Sequence, residues 1–569
     1  MSAATYPPLR LAFPDRRDWI FSAVLAHRAR QAPDRPFLQY ATETPLTYDE
    51  VDRRVNRLAH GLRALGVVPG DRVLVMLPTS IEFLLVWWAA NRIGAIEVSV
   101  NNAYKGYFLE HLVNNSGGRV MVVAREFLDV VRASEERLPG LETLVVLDGA
   151  ELAPAAPRFA RLRILAFREL PTSQEDPPDV PLSARDLCAI FYTSGTTGPA
   201  KGVTMPNAQC HLAAESCVNL TRLTADDVYL VTTPLYHANA PLMQVYPALV
   251  AGARAVLLPR LSATEWLAQA RATGATVTNL LGVMMDFLFR QPPSPGDRDH
   301  RLRVVLGQPA PAAIAEAFRQ RFGLERVLEY YGMTEIGIVT MMPWDAVRSG
   351  SCGAAVSEWF DLRIADPETD EERPPGEVGE LLVRPKAPWA FSQGYWGMPE
   401  RTLEALRNVW YHTGDGLRRD ADGYFSFVDR MRDVIRRRAV NISSFDVETV
   451  IGGHPAVAEC AAVAVPSEFA GGEDEIKICL VLREGASVAP EDFLGWCEDR
   501  LPHFAVPRYV EVVAELPKTP SNKVQKYRLR ETGVGTTTWD RVKAGYRLRE
   551  EVKRAEARRA RSAPTGEGG

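Results

Sequence analysis

Short apolar runs alternate with helix-like segments through the first part of this chain, and this alternation constrains the fold more than any other feature. Residues 48–65 have the apolar spacing of an amphipathic helix. The apolar runs indicate buried strands at residues 71–77, 95–100, 120–123, 144–147, 187–192, 228–232, 255–258, 276–281, 303–306 and 327–330. Strands separated by helical crossovers predict a parallel sheet, so we predict an α/β fold.

The chain is too long for one hydrophobic core, because 569 residues exceed what a single domain usually holds. Between about residues 350 and 430 the pattern changes to short strands and turns, which indicates a β-rich subdomain. We therefore predict a large N-terminal domain over residues 1–430 and a small, mobile C-terminal α/β domain over residues 431–535. Residues 536–569 are predicted to form a charged tail, with a solvated helix over 541–560.

Composition and charge exclude several classes of protein. The net charge of −5 gives no global reason to expect a nucleic-acid partner. Seven scattered cysteines lack metal-ligand spacing and indicate reduced core residues. The N-terminus lacks the pattern of a signal peptide, and the most apolar stretch, residues 83–98, contains Asn91 and Arg92 and is too short to span a bilayer. We predict a cytoplasmic protein without a transmembrane segment, and the oligomeric state stays open.

A loop rich in glycine and hydroxyl groups follows the predicted strand at 187–192. Residues 192–202 read Tyr-Thr-Ser-Gly-Thr-Thr-Gly-Pro-Ala-Lys-Gly. Glycines let the backbone approach a ligand, and hydroxyl and N–H groups donate to phosphate oxygens. The loop is not a Walker A motif, because Lys201 is flanked by Ala200 and Gly202. Taken alone, a surface turn is the alternative. The pattern predicts phosphate contacts from Thr193, Ser194, Gly195, Thr196, Thr197, Gly198 and Lys201.

Five further segments follow the loop in a fixed order. They read Pro-Leu-Tyr-His at 234–237, Tyr-Gly-Met-Thr-Glu at 331–335, Tyr-His-Thr-Gly-Asp at 411–415, Asp-Arg at 429–430 and Pro-Lys-Thr-Pro-Ser-Asn-Lys at 517–523. With the loop, they resemble the adenylate-forming superfamily of acyl-CoA synthetases, peptide-synthetase adenylation domains and luciferases. The resemblance spans about residues 20–540, and the stretches at 304–307 and 436–444 look most like those of carnitine/crotonobetaine-type CoA ligases.

The resemblance implies an AMP-forming acid–thiol ligase. Such an enzyme activates a small-molecule carboxylic acid with ATP to acyl-AMP and then transfers the acyl group to CoA. The implied cofactors are ATP, Mg²⁺ and CoA.

The resemblance also implies a nucleotide site. It assigns Mg²⁺ to Glu335, the α-phosphate to Thr334, the adenine face to Tyr331, and the ribose to Asp415 and Arg430. A carboxylate beside a hydroxyl suits Mg²⁺ and a phosphate oxygen. A core aromatic is the alternative for Tyr331, and a surface ion pair is the alternative for Arg430. The implied ATP-binding set also includes Gln308, Pro309, Glu329, Tyr330, Gly332 and Met333.

Lys523 is the residue that the resemblance places between the carboxylate and the α-phosphate during adenylation. Lysine is a compact charge suited to that task. The implied catalytic set is Lys523, Thr334, Glu335 and His237. A hinge near Arg432 then lets the small domain rotate, and Arg438, Ala439 and Val440 are implied to line the CoA tunnel.

The acyl pocket is the least defined part of the predicted site. The resemblance implies that His237 and a helix within residues 279–289 form its walls, with Gly282, Met284, Met285 and Asp286 as candidates. A satisfied core histidine is the alternative for His237. Asp286 is expected to be either an exposed helix residue or a partner for a cationic group on the substrate.

Two departures from the family pattern bear on the acceptor. Gln308 and Pro309 stand where the family is usually glycine-rich, and Ala439 stands where related ligases carry glycine. They keep open an adenylating enzyme whose acceptor is a carrier-protein thiol, an amine, or nitrite activated for diazotisation. A degenerate nucleotide-binding protein without turnover is a further alternative, opposed by the presence of Glu335, Asp415, Arg430 and Lys523.

Overall fold

The computed structural model describes residues 4–147, 159–193, 199–430, 434–437, 440–468, 473–518 and 524–553. The first third of the chain supplies five helices. They are α1 (Phe21–Gln31), α2 (Tyr48–Ala64), α3 (Ile81–Arg92), α4 (Tyr107–Ser116) and α5 (Leu128–Ser134). The strands of this part are β1 (Pro36–Tyr40), β2 (Leu46–Thr47), β3 (Arg72–Met76), β4 (Ile96–Ser99), β5 (Val120–Ala124), β6 (Thr143–Leu147), β7 (Arg163–Ala166), β8 (Leu187–Thr193) and β9 (Lys201–Pro206).

Seven of these strands form one sheet, in the order β7-β6-β5-β3-β4-β8-β9. Its strands are parallel except for the β8–β9 hairpin, which is antiparallel. Ser80 precedes the buried helix α3 and caps it, because its side chain accepts a hydrogen bond from the N–H of Phe83. Similarly, Thr47 and Glu50 form a capping box at the start of α2.

A second sheet has 13 strands and is built in two parts. Its parallel part contains β10 (Val228–Val231), β11 (Arg254–Leu257), β12 (Val277–Leu281), β13 (Val304–Gln308) and β14 (Arg326–Met333). The accompanying helices are α6 (Asn207–Thr221), α7 (Tyr246–Ala251), α8 (Trp266–Thr273), α9 (Gly282–Phe289) and α10 (Ala315–Arg321). The strand order is β14-β13-β12-β10-β11-β1-β2, with β2 antiparallel at the edge.

The antiparallel part of this sheet corresponds to the predicted β-rich subdomain. It contains β15 (Gly337–Met341), β16 (Gly353–Ala355), β17 (Phe360–Ala365), β18 (Val378–Pro385), β19 (Tyr411–Arg419) and β20 (Tyr424–Arg430), with the helix α11 (Pro399–Ala405). These strands continue the sheet beyond β14 in the order β15-β16-β20-β19-β18-β17.

The main hydrophobic core joins the two sheets. Trp87 and Trp88 of α3, together with Tyr246 of α7, belong to it and are at most 1 % exposed. The predicted α/β class is therefore confirmed. No helix among the described residues is long and apolar enough to cross a membrane.

The C-terminal part forms a separate sheet with its own core. A hairpin of β21 (Val434–Arg437) and β22 (Val440–Ser443) leads into the sheet β23 (Val457–Pro466), β24 (Asp474–Leu482), β25 (Tyr509–Val512) and β26 (Trp539–Asp540). Helices α12 (Ser444–Ile451), α13 (Pro490–Arg500) and α14 (Lys526–Glu531) pack on it. Phe108 of α4 belongs to the same core, so this part contacts helix α4 of the N-terminal part.

The segment that follows residue 536 differs from the predicted charged tail. β26 pairs with β25, and Leu548 is only 2 % exposed. Arg541 pairs with Glu551 at 3.0 Å, and the helix begins at residue 549 rather than at 541. Arg549 likewise pairs with Asp499 at 2.5 Å, and Asp540 with Arg508 at 3.2 Å. Residues 539–553 therefore contact the C-terminal sheet, and the domain boundary at residue 536 stays a prediction.

Candidate active site

The β8–β9 hairpin holds the two ends of the predicted phosphate loop. Thr193 and Lys201 are directly paired across it. Residues 194–198, which carry most of the predicted phosphate contacts, lie outside the described residues. The Lys201 ammonium lies 4.7 Å from the centre of the Tyr395 ring, where a cation is attracted by the aromatic face.

The predicted magnesium ligand Glu335 lies beside this hairpin. The Thr193 hydroxyl is 3.5 Å from Glu335 Oε1, and the Tyr395 hydroxyl donates to the same oxygen at 3.1 Å. Tyr395 in turn contacts the Tyr411 hydroxyl at 3.0 Å. Glu335 is 6 % exposed. A carboxylate from one predicted motif therefore meets the start of the phosphate loop.

The turn between β14 and β15 places Thr334 and Glu335. A Cβ atom at Gly332 would lie 2.3 Å from the carbonyl oxygen of Gly337, so only glycine fits this close approach. The Thr334 carbonyl accepts a hydrogen bond from Gln209 Nε2 at 2.8 Å, which ties the turn to α6.

The predicted adenine and ribose residues also lie next to each other. The Tyr331 hydroxyl donates to Asp415 Oδ2 at 2.7 Å, and both residues are buried. Asp415 pairs with Arg430 across the β19–β20 ladder, although the side chain of Arg430 is outside the described residues. The role of each residue toward a nucleotide stays a prediction.

Glu380 of β18 supports the turn before Asp415. Its carboxylate accepts from the N–H of Gly414 at 2.8 Å and contacts His412 Nδ1 at 3.1 Å. Gly414 has φ of +70°, a conformation that favours glycine. Sequence reasoning missed Glu380, Tyr395 and Gln209, because none of them lies in a recognised motif.

His237 is partly buried at the other side of the site. Its ring lies 4.8 Å from the ring of Tyr236. Burial lowers the pKa of His237 to about 4, so the imidazole is neutral at physiological pH. It can act as an uncharged polar group rather than as a counter-charge.

The helix α9 follows β12 and contains the other predicted acyl-pocket residues. Met285 is fully buried in the core of this part of the molecule, and Met284 packs against that core. Asp286 is only 4 % exposed, and it accepts a hydrogen bond from Arg290 Nε at 2.7 Å. Asp286 is therefore not an exposed helix residue, because Arg290 one turn later neutralises its buried carboxylate.

The segment after β13 lies between the predicted nucleotide-binding residues and the predicted acyl-pocket residues. The peptide bond between Gln308 and Pro309 is cis, and the N–H of Ala310 donates to Glu329 Oε1 at 2.8 Å. Burial raises the pKa of Glu329 to about 8, which favours its neutral form at pH 7.

The C-terminal hairpin reaches this segment. Arg436 Nη2 donates to the Gln308 carbonyl at 3.4 Å. The stretch 436–444, predicted to approach the site during acyl transfer, therefore lies against it at Arg436. Arg432, Arg438, Ala439 and Lys523 are outside the described residues, and only the backbone of Val440 is described, within β22.

Comparisons with known proteins agree with this arrangement. Residues 25–396 match the family described as AMP-binding enzyme, and residues 446–523 match the AMP-binding enzyme C-terminal domain. The chain is 32% identical over 488 residues to a crotonobetaine/carnitine–CoA ligase of Salmonella paratyphi A, which covers 85% of this chain and 93% of that protein. It is 34% identical over 511 residues to a feruloyl-CoA synthase of Amycolatopsis sp, with coverage of 88% and 97%.

Solved structures show the same fold. ATP-bound MatB from Rhodopseudomonas palustris has a TM-score of 0.65 and 27% identity, over 90% of this chain and 98% of that chain. The family match covers more than half of the chain, and both relatives exceed 30% identity over most of it. The predicted resemblance is confirmed, and the chain belongs to the adenylate-forming AMP-binding enzyme family.

Proposed function

We propose that the protein is an AMP-forming acyl-CoA synthetase. A carboxylate attacks the α-phosphate of ATP, which forms acyl-AMP and releases pyrophosphate; the thiol of CoA then displaces AMP to form the thioester. The observation that carries the proposal is that residues of separate motifs contact each other: the Thr193 hydroxyl lies 3.5 Å from Glu335, and Tyr331, four residues before Glu335, donates to Asp415 at 2.7 Å. The names of the relatives, a CoA ligase and a CoA synthase, support CoA as the acceptor.

Glu335 and Thr334 fit a magnesium ion that arrives with ATP. Among the described residues there is no group of three or more His, Cys, Asp or Glu side chains that could hold a metal. A Mg²⁺ ion that keeps phosphate and water ligands needs only one or two protein carboxylates, so Glu335 is sufficient. The ion would neutralise charge on the phosphates.

The remaining residues would orient the reactants. Asp415 can accept hydrogen bonds from ribose hydroxyls, and Tyr331, held by Asp415, would face the adenine. Neutral His237 would line the acyl side. The substrate is a small-molecule carboxylic acid, and we place the reaction in the cytoplasm.

A screen of AMP release tests this function. Short, medium, aromatic and cationic carboxylic acids are offered with ATP and Mg²⁺, with and without CoA. We expect AMP release with at least one class of acid and acceleration by CoA. Release that is unaffected by CoA would favour a different acceptor, and no ATP–pyrophosphate exchange with any acid would favour a protein without turnover.

Replacing Ala439 with glycine separates CoA from other acceptors. If the position requires φ > 0, alanine costs roughly 1–2 kcal/mol in the transfer conformation alone. With a non-CoA acceptor, Ala439→Gly is expected to raise CoA-dependent turnover by about 5- to 30-fold and to leave ATP–pyrophosphate exchange nearly unchanged. Strong CoA stimulation of the native protein, with no gain from glycine, would identify Ala439 as a neutral variation within a CoA ligase.

Removing the Tyr395 hydroxyl tests the hydrogen bond to Glu335. Tyr395→Phe keeps the ring beside Lys201 but loses the donor to the carboxylate. We expect acyl-AMP formation to fall by about 10- to 150-fold, the range for a hydrogen bond to a charged group. Pyrophosphate exchange measures it, and Tyr411→Phe is the control, since Tyr411 contacts Tyr395 through its hydroxyl. An equal loss in both variants would show that the contact with Tyr411, and not that with Glu335, matters.

A further inference from the structure

A relay of buried and partly buried polar side chains ends at Gln308. It begins at the backbone N–H of Thr232, which donates to Gln244 Oε1 at 3.3 Å. Gln244 Nε2 then donates to Asn239 Oδ1 at 2.6 Å. Finally, Asn239 Nδ2 donates to Gln308 Oε1. Gln244 is fully buried, so its amide is held in one orientation by these partners.

The direction of every hydrogen bond in this relay follows from its first donor. A main-chain N–H can only donate, so Gln244 turns its oxygen to Thr232 and its NH₂ group to Asn239. Asn239 Oδ1 is also approached by Asn279 Nδ2 at 3.4 Å. Asn239 must therefore turn its own NH₂ group to Gln308. Gln308 accepts this hydrogen bond through its side-chain oxygen. The NH₂ group of Gln308 is therefore the last group of the relay.

The fold places Gln308 next to the predicted acyl-pocket residues. Gln308 is the last residue of β13 and pairs with Leu281, which precedes α9. Asn239 lies two residues after His237. In proteins with a parallel α/β sheet, ligands usually bind at the carboxyl ends of the strands. The buried Tyr330 hydroxyl is a polar neighbour of the amide, but an amide nitrogen carries two hydrogens, so at least one N–H is left for a ligand.

Two ionisable groups of the predicted acyl pocket offer no free charge. Asp286 is paired with Arg290 at 2.7 Å. Burial holds His237 in its neutral form by lowering its pKa. A cationic group on the acid would find no free carboxylate at Asp286, and burying such a charge unpaired is costly.

We propose that Gln308 is a specificity-determining residue, whose amide N–H binds an uncharged acceptor oxygen on the tail of the acid. The substrate class is a carboxylic acid that carries a hydroxyl, ether or carbonyl oxygen. This inference rests on the proposed function, since it names the acid that the same site activates.

Matched acids test the inference through AMP release. The probes are cinnamic and benzoic acids, each compared with its 3- and 4-hydroxy and 3- and 4-methoxy derivatives. We expect the native protein to favour an oxygen-bearing member of a set by about tenfold in kcat/KM, the range for one hydrogen bond. Gln308→Leu is expected to remove this preference. As the matched control, Gln209→Leu should lower turnover with all acids by the same factor, because Gln209 contacts the Thr334 carbonyl on the other side of the site.

A second variant tests the direction of the relay. The carboxylate in Asn239→Asp can only accept hydrogen bonds, so Gln308 must turn its NH₂ group inward and present its oxygen to the ligand. Hydroxy acids, which can donate, are expected to keep their advantage, whereas methoxy acids, which cannot, are expected to lose theirs. A general loss of packing would not separate these two groups of acids.

The outcomes distinguish a failure of the proposed role of Gln308 from a failure of the proposed function. AMP release without discrimination by the native protein, or an unchanged methoxy preference in Asn239→Asp, would overturn the role of Gln308. If Gln308→Leu fails to fold in a thermal melt, the native protein and Asn239→Asp still decide. No AMP release with any acid would instead contradict the proposed function.

Discussion

Replacing Lys523 with alanine is expected to slow acyl-AMP formation by about 10²- to 10³-fold, the range for removing one preorganised group at a developing anion. The carboxylate and the α-phosphate are both anionic, and a cation between them is needed as they approach. Thioester formation from supplied acyl-AMP should stay near the native rate, because that step does not bring two anions together. The variant therefore separates the two half-reactions.

The measurements are ATP–pyrophosphate exchange and thioester formation from prepared acyl-AMP and CoA. Lys518→Ala is the matched control, since Lys518 lies in the same sequence motif but pairs with Glu459 at 2.7 Å. It is expected to leave both rates near native. An equal loss of both half-reactions in Lys523→Ala would contradict the rotation of the small domain between them.

The contact of Arg436 with the Gln308 carbonyl bears on the same rotation. It places the C-terminal hairpin at the site, as proposed for acyl transfer. The adenylation step is proposed to need Lys523 at the site, from a different segment of the same small domain. Serving both steps therefore requires the domain to move, which is a common device in enzymes with two half-reactions.

Much of the fold could be predicted because its parallel strands are buried on both faces. Strands such as β3, β5 and β10 consist of nearly uninterrupted apolar residues, which is the pattern of a parallel sheet. The strand β26 could not be predicted, because a strand of two residues has no period. Its position depends on long-range contacts, such as the 3.2 Å pairing of Arg508 with Asp540.

The site was predictable only where a motif marks it. Thr193, Glu335, Tyr331 and Asp415 were all identified from motifs, and the structure brings them together. Their supporting partners lie far along the chain: Tyr395 is 60 residues from Glu335, and Gln209 is 125 residues from Thr334. Such partners are defined by the fold rather than by local sequence.

Replacing Glu335 with glutamine is expected to lower acyl-AMP formation on the order of 100-fold and to raise the Mg²⁺ requirement. Glutamine has nearly the same shape and keeps an oxygen that can accept the hydrogen bond from Tyr395, so the fold should stay intact. The glutamine lacks the negative charge of the carboxylate, which Mg²⁺, a hard cation, prefers in its ligands. Loss of a residue that only supports a metal ligand typically weakens metal binding roughly 10- to 100-fold. Glu335 is proposed to bind the metal directly, so the half-saturating Mg²⁺ concentration should rise by more than that.

A magnesium titration at fixed ATP measures this shift, and Glu380→Gln supplies a control with the same chemical change. Glu380 is as buried as Glu335, but its carboxylate holds Gly414 at 2.8 Å, next to the proposed ribose ligand Asp415. Loss of its charge should therefore raise the KM for ATP while leaving the magnesium requirement at saturating ATP unchanged. If Glu335→Gln shows a native magnesium titration, the carboxylate at this turn does not bind the metal, and its hydrogen bonds to Thr193 and Tyr395 only position the phosphate loop.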